Sequence, residues 1–169
     1  DTKEFSEAGE IDYGKRNNED SEIQKKLHQT VKKVSESMED NFHFNTAIAA
    51  LMELLNDMTS YRQKVIDTGK ISSESKKIWR EVMEKTVLML SPFAPHIADE
   101  LWAASGREGY AFLESWPEYI EELTKESKIN LVVQVNGKLR DTILADVNIP
   151  KEELEKIALA SAKAQKFLE

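Results

Sequence analysis

The chain has 169 residues, 40% hydrophobic and 32% charged, which is the composition of a soluble globular protein large enough for one full domain and a small appendage. No apolar run approaches the roughly 20 residues of a membrane-spanning helix, no secretory segment is visible, and the lack of cysteine excludes disulfides and thiolate metal sites, which together suit a cytoplasmic protein. The net charge of −8 argues against a uniformly basic nucleic-acid binder, yet the acidity is concentrated in residues 1–20 and 91–128, while 21–90 and 129–169 are near balance.

Residues 1–20 offer few large apolar side chains (Phe5, Ile11, Tyr13), two glycines and the polar run Arg16-Asn17-Asn18-Glu19-Asp20, so they are expected to form a linker or surface arm. From Ser21, Ile23, Leu27, Val31, Val34 and Met38 recur at helical spacing, with Lys25, Lys26, Gln29, Lys32 and Lys33 on the opposite face. A second helix is expected to turn Phe44, Ile48, Leu51, Leu55, Met58 and Tyr61 inward, with Asn45 as its N-cap and Gly69 in the following loop. Ser72 or Ser73 opens a third helix with Ile78, Val82, Thr86, Met89 and Leu90 inward and Trp79 and Met83 beside them. Pro92 and Pro95 forbid a continuous helix, and Pro95 suits the first position of a fourth, whose Ala94, Ile97, Ala98, Leu101 and Trp102 share a face. Residues 21–109 are thus expected to form an antiparallel four-helix bundle joined by short connections.

Residues 110–127 form an acidic connector, expected to be draped on the bundle by Tyr110, Phe112, Leu113 and Trp116. At Lys128 the period changes to strict alternation (Ile129, Leu131, Val133, Val135), and Asn136-Gly137 is a strong hairpin signal. A two-residue turn would set Val133 opposite Arg140 and mix apolar with charged residues on each face. A three-residue loop of Val135, Asn136 and Gly137 would set Val133 opposite Leu139 and Ile129 opposite Ile143, and is the expected register. It would leave Gln134, Lys138, Arg140 and Thr142 on the exposed face. Pro150 starts a last helix with Leu154, Ile157, Ala158, Ser161, Ala164 and Leu168 on one side. The fold class is therefore mainly α, with an incomplete α+β module at residues 128–169.

Three motifs carry a resemblance: Ser91-Pro92-Phe93-Ala94-Pro95-His96-Ile97-Ala98-Asp99-Glu100-Leu101-Trp102, Gln134-Val135-Asn136-Gly137-Lys138-Leu139-Arg140, and Phe44-Asn45-Thr46-Ala47. With them the chain, from about Ser21 onward, resembles the C-terminal part of bacterial leucyl-tRNA synthetases. The first and third recur in looser form in the valyl and isoleucyl enzymes, whereas Val-Gln-Val-Asn-Gly-Lys points to the leucyl family. The resemblance implies an anticodon-binding-type helical bundle followed by the start of a C-terminal module, cut from a longer ligase that uses ATP and Mg²⁺ and is monomeric. The His-Ile-Gly-His and Lys-Met-Ser-Lys-Ser motifs of such a ligase are not in this sequence, nor is a glycine-rich phosphate loop. No catalytic residue and no cofactor site is therefore expected within the chain.

His96 with Asp99 and Glu100 shares a helix face but lacks a second histidine or cysteine, so it is expected to be a structural histidine bonded to Glu100 or nearby backbone rather than a metal ligand. Basic groups are the candidates for RNA contact: Lys25, Lys26, Lys32 and Lys33 on the first helix; Arg62 and Lys64 at the end of the second; Lys76 and Arg80, with Lys77, on the third; and Gln134, Lys138 and Arg140 on the hairpin. Each has a plainer reading, as the solvated face of a helix or as i,i+4 support for Glu81 and Glu84. Trp79, Trp102 and Trp116 fit core positions better than base-stacking ones. The expected partners are a leucine tRNA, held by its backbone and shape, and the catalytic body of the same polypeptide. The alternatives are a protein-docking module that touches no RNA, or the equivalent domain of a valyl or isoleucyl homologue.

Overall fold

The computed structural model describes residues 11–39, 42–69, 71–125, 128–135, 137–146 and 149–160. Two units divide between Thr124 and Lys125. The first contains α1 (Asn18–Glu39), α2 (Phe44–Tyr61), α3 (Ser73–Leu90), α4 (Pro95–Ala104) and the short α5 (Glu121–Thr124). The second contains β1 (Lys128–Val135), β2 (Lys138–Asp146) and α6 (Lys151–Ala160).

Helix α1 begins three residues earlier than its apolar periodicity indicates, because the polar run before Ser21 is a capping sequence. Asn17 Oδ1 accepts from the Asp20 N–H at 2.7 Å and Asp20 Oδ2 accepts from the Asn17 N–H at 3.2 Å, a reciprocal closure of the first turn. Asp20 is fully buried, and it also receives the Tyr61 hydroxyl at 2.5 Å and the Ser75 hydroxyl at 3.0 Å. One carboxylate thus joins the start of α1, the end of α2 and the start of α3. The expected arm is docked rather than free from Ile11 onward: Ile11 packs against the core, and a 3-10 turn at Tyr13–Lys15 follows. The Asp12 N–H donates to the buried Glu74 at 3.0 Å, and Arg16 donates to the buried Gln24 at 2.8 Å. Residues 1–10 lie outside the described residues.

The main core gathers Ile23, Leu27, Val31 and Val34 of α1, Ala47, Ala50, Leu51, Leu54, Met58 and Tyr61 of α2, and Ile78, Val82 and Met89 of α3. For α1 and α3 this is close to the periodicity, although Met83 is exposed. For α2 it is not. Phe44, Ile48 and Leu55, expected inward, are 49%, 41% and 57% exposed, and the buried face is centred on Ala47, Ala50 and Leu54. Apolar residues cover more than half of the circumference of α2, so period alone leaves the choice of face open. The N-cap is His43, not Asn45, and it makes no side-chain capping bond; Phe42 takes a positive φ of 52° and the His43 N–H closes onto the Ser37 carbonyl at 2.8 Å. Helix α2 runs on as a π turn (Arg62–Ile66) before Gly69, whose φ of 73° suits glycine.

Ser72 caps α3 by accepting from the Ser75 N–H at 3.0 Å, and Pro95 takes the first position of α4. A second apolar cluster joins Val87 of α3, Ala98 and Trp102 of α4, and Ala111. Ile97 and Leu101, expected on the same buried face, are 60% and 41% exposed. Among the described residues of the connector only Ala111 and Pro117 are buried; Tyr110, Phe112 and Leu113 do not drape the bundle and are exposed.

In the second unit β1 and β2 pair antiparallel, with Val135 opposite Lys138 and Gln134 opposite Leu139 across a tight turn whose Gly137 has φ 74°. A bulge then skips Arg140, so Val133 lies opposite Asp141, Leu131 opposite Ile143 and Ile129 opposite Ala145. Odd-numbered residues do oppose odd-numbered ones along most of the ladder, as burial of one face requires. The register is corrected inside β2, however, not by the expected three-residue loop. Of the exposed face expected for Gln134, Lys138, Arg140 and Thr142, Gln134 and Thr142 are exposed, Arg140 is the half-buried bulge residue, and the side chain of Lys138 lies outside what is described. Helix α6 follows Pro150 with Leu154, Ile157 and Ala158 half-buried; Ser161, Ala164 and Leu168 lie outside the described residues.

Removing only the Tyr61 hydroxyl leaves the buried Asp20 short of a donor. Tyr61→Phe should lower stability by about 1–3 kcal/mol, read as the shift in a urea unfolding midpoint at unchanged slope. Ser75→Ala should act in the same direction. A Tyr61→Phe variant as stable as the parent would mean that Asp20 does not organise the bundle.

Candidate nucleic-acid interface

The four lysines of α1 do not act as one stripe. Lys32 is committed within the chain: it bonds Glu121 of α5 at 2.9 Å and stands 5.7 Å over the Tyr119 ring. Lys26 pairs with Glu53 at 3.1 Å and lies 3.7 Å from Asp57, both on α2. The side-chain ammonium groups of Lys25 and Lys33 make no hydrogen bond or ion pair among the described residues, and the same holds for Lys64 and Lys76. Arg62 pairs with Asp67 at 3.3 Å.

Lys25, Lys26 and Lys64 are brought together along the seam of α1 and α2, in an open cleft of about 340 Å³ that Glu19, Glu22 and Asp57 also line. The three carboxylates offset the three ammonium groups, so the cleft is mixed in charge. Lys33, two turns further along α1, lies close enough to Glu53 to help lower the pKa of its carboxyl, after the hydrogen bond and charge of Lys26. Arg80 lines a different groove between α3 and α4, with Trp79, Met83, Leu101, Trp102 and Arg107. There Arg107 holds Glu84 through two bonds of 2.7 and 2.6 Å and stacks 5.6 Å over Trp102. The hairpin candidates belong to the second unit.

A polar column along α1 is not singled out by the apolar periodicity. Gln24 and His28, one and two turns beyond Asp20, are fully buried. Gln24 donates to Glu81 at 2.9 Å, and Lys85 pairs with Glu81 at 3.0 Å. His28 Nδ1 accepts the Ile120 N–H of the connector at 3.2 Å, while its Nε2 faces Glu81 at 3.6 Å. The connector is further held by Trp116 on Ser35 at 2.8 Å, Gln29 on the Thr124 carbonyl at 2.9 Å and Lys85 on the Glu118 carbonyl at 2.9 Å. The available signal was the i,i+4 row Asp20, Gln24, His28 beside the apolar stripe, a row too polar to be ignored on a buried face. His96, expected to be the structural histidine, is exposed on α4, and Asp99 instead accepts the Ala111 N–H at 3.0 Å. Trp79 stacks on Tyr61 and Trp102 is buried, whereas Trp116 is 39% exposed and anchors by its N–H. Among the described residues no group of three or more His, Cys, Asp or Glu is placed to hold a metal ion, and no helix is long and apolar enough to cross a membrane.

The family described as the anticodon-binding domain of tRNA ligase matches residues 20–158. The chain belongs to this family. Among relatives of this anticodon-binding domain, the leucine–tRNA ligase of Fusobacterium nucleatum is 42% identical over 160 residues, and that of Fervidobacterium nodosum 43% identical over 160 residues. In both cases the match takes in 95% of this chain but 18% of the relative, so the domain spans less than a fifth of the ligases it matches. A solved LeuRS–tRNA–LeuAMS ternary complex from Agrobacterium radiobacter K84 (agnB2) superposes with a TM-score of 0.74 at 36% identity, over 98% of this chain and 20% of that one. The leucyl resemblance seen in the motifs is thus matched over nearly the whole domain.

Burial, with Lys85 nearby, pushes the His28 imidazole down to about 4 against the opposing pull of Glu81. Because the folded value lies below the unfolded value of about 6.5, the unfolded chain binds the extra proton first as pH falls, and stability drops. About 2 kcal/mol should be lost through this group between pH 7 and pH 5, measured by urea unfolding at both values. His28→Gln should flatten that dependence; an unchanged pH slope in the variant would assign the effect elsewhere.

Proposed function

We propose that this anticodon-binding domain is the tRNA-binding and positioning region of a leucine–tRNA ligase. The whole protein would join leucine to its tRNA with ATP and Mg²⁺ in the cytoplasm, through a catalytic body beyond this chain. The observation that carries the reading is the likeness, at 36% identity over 98% of the chain, to a ligase solved with tRNA. The domain's part is to hold a large substrate so that its reacting end falls where the chemistry occurs, which raises rate without any catalytic group here.

Recognition runs through phosphate and shape. The ammonium groups of Lys25, Lys33 and Lys64, which have no partner among the described residues, reach phosphates along the α1/α2 seam. Lys26, balanced by Glu53 and Asp57, contributes less. Lys32 serves the connector and is not part of the contact. Gln134, Lys138 and Arg140 of the second unit would add contacts of their own.

Fluorescence anisotropy of this chain with a leucine tRNA and an unrelated tRNA, at several salt concentrations, tests the reading. Binding of about 10⁻⁴ to 10⁻⁶ M is expected, falling with log salt at roughly 0.7–0.9 per phosphate neutralised. The triple variant Lys25→Ala, Lys33→Ala, Lys64→Ala should weaken binding about tenfold or more and flatten that slope, while Lys32→Ala should leave it unchanged. Absence of binding at low salt would remove the positioning role from this chain.

A further inference from the structure

Residues 116–124 are held to the helices by directed bonds rather than by burial. Trp116 Nε1 donates to Ser35 at 2.8 Å, Lys85 to the Glu118 carbonyl at 2.9 Å, Lys32 to Glu121 at 2.9 Å and Gln29 to the Thr124 carbonyl at 2.9 Å. The Ile120 N–H donates to His28 Nδ1 at 3.2 Å. Within the segment only Pro117 is buried. A segment with so little apolar area to expose opens at a smaller free-energy cost than the core beneath it.

The His28 contact differs in kind from the other four. A ring nitrogen accepts an N–H only while it carries no proton, so neutral His28 holds its hydrogen on Nε2. That nitrogen lies 3.6 Å from Glu81, whose two oxygens already take Gln24 and Lys85. A proton added at Nδ1 turns the acceptor into a second donor, aimed at the Ile120 N–H. The contact in the middle of the segment then becomes a repulsion.

We propose that residues 116–124 form a strap that a proton on His28 Nδ1 releases from α1 as one unit, while the helical bundle stays folded. The charges around the ring set where this happens. On α3, Glu81 and Lys85 act on it with opposite signs. On the connector, Glu118 is exposed, and Tyr119 and Glu121 are turned to Lys32. On α2, Glu53 and Asp57 are turned to Lys26, and on α1 itself Asp20 is taken up by Tyr61, Ser75 and the Asn17 N–H. Burial is the largest influence, and with Lys85 it holds the imidazole of the closed form down at about 4, against about 6.5 for one in water. Opening the strap uncovers Nδ1, so the open form takes up the proton first as pH falls and acid favours opening. Between these two values, the ratio of open to closed strap rises about twentyfold from pH 7 to pH 5.

Amide hydrogen exchange of the 169-residue chain, followed by NMR at pH 7 and pH 5 and corrected for intrinsic rates, tests the strap. At both pH values Ile120 should be less protected than Leu54 and Val82 of the core, with a weaker dependence on added urea. Its protection should fall about twentyfold between pH 7 and pH 5. Equal protection and equal urea dependence of the three amides would overturn the proposal, because the segment would then open only with the bundle. Ile120 protection that is the same at both pH values would overturn it as well. His28→Gln should abolish the pH dependence, whereas Glu121→Gln should lower Ile120 protection at both pH values and keep their ratio. A ratio that survives in the first variant, or vanishes in the second, assigns the release to another group. Should His28→Gln not fold, the ring-nitrogen shifts of His28 in the parent decide: a bare Nδ1 and a protonated Nε2 at pH 7 are required, and the opposite tautomer sinks the mechanism.

Discussion

A carboxylate taken out of water destabilises a fold unless its oxygens are satisfied, and Asp20 is taken out of water completely. It accepts from the Asn17 backbone of its own cap, the Tyr61 hydroxyl of α2 and the Ser75 hydroxyl of α3. Those three donors come from the ends of three helices, and one relative placement of the helices satisfies them together. Burial beside Asp20 also raises the Tyr61 pKa far above its ordinary value, so the phenol is a donor at neutral pH. The apolar cluster supplies the bulk of the driving force, but it is tolerant of small shifts; the Asp20 site is not.

The same logic extends up α1. Gln24 and His28 follow Asp20 at one-turn intervals, and each is satisfied from a different direction: Arg16 and Glu81 for Gln24, the Ile120 N–H for His28. The column therefore fixes the arm before α1 and the connector after α4 against the same face of the bundle. This explains why Tyr110, Phe112 and Leu113 can remain exposed. The connector is seated by directed hydrogen bonds to α1 and α3, with Pro117 and Ala111 its only buried residues among those described, so Tyr110, Phe112 and Leu113 have no burial to perform. Lys32, Lys85 and Gln29 are spent on that seat.

Much of the fold was legible where one face of an element is apolar and the other is not. Helices α1 and α3, the Ser72 cap, the Pro92/Pro95 corner and the hairpin at Asn136-Gly137 all follow from local chemistry. Helix α2 was misread because Ala47 and Ala50 are silent in a search for large apolar residues, yet both are buried in the core that α2 shares with α1 and α3. The hairpin was misread in a narrower way. Parity between the strands follows from burial, but parity can be restored by a bulge at Arg140 as well as by a longer loop, and the residues alone do not distinguish them. At the candidate site the sequence located the cations and not their partners. Glu53, Asp57 and Glu121 are distant in sequence from Lys26 and Lys32, and only the packing of α2 and α5 on α1 brings them together.

Partnering decides how an acidic domain can face a polyanion. The cleft that holds Lys25, Lys26 and Lys64 also holds Glu19, Glu22 and Asp57, so its field is weak beyond a few ångströms and cannot draw in RNA over long range. Close contact is different, because an ammonium group within hydrogen-bond reach of a phosphate interacts mainly with that phosphate. A surface of this kind adds little to association rate or to total affinity, but it penalises a tRNA whose backbone lies in the wrong place. Such a bias suits the proposed role, in which the domain orients a substrate already held by a larger body.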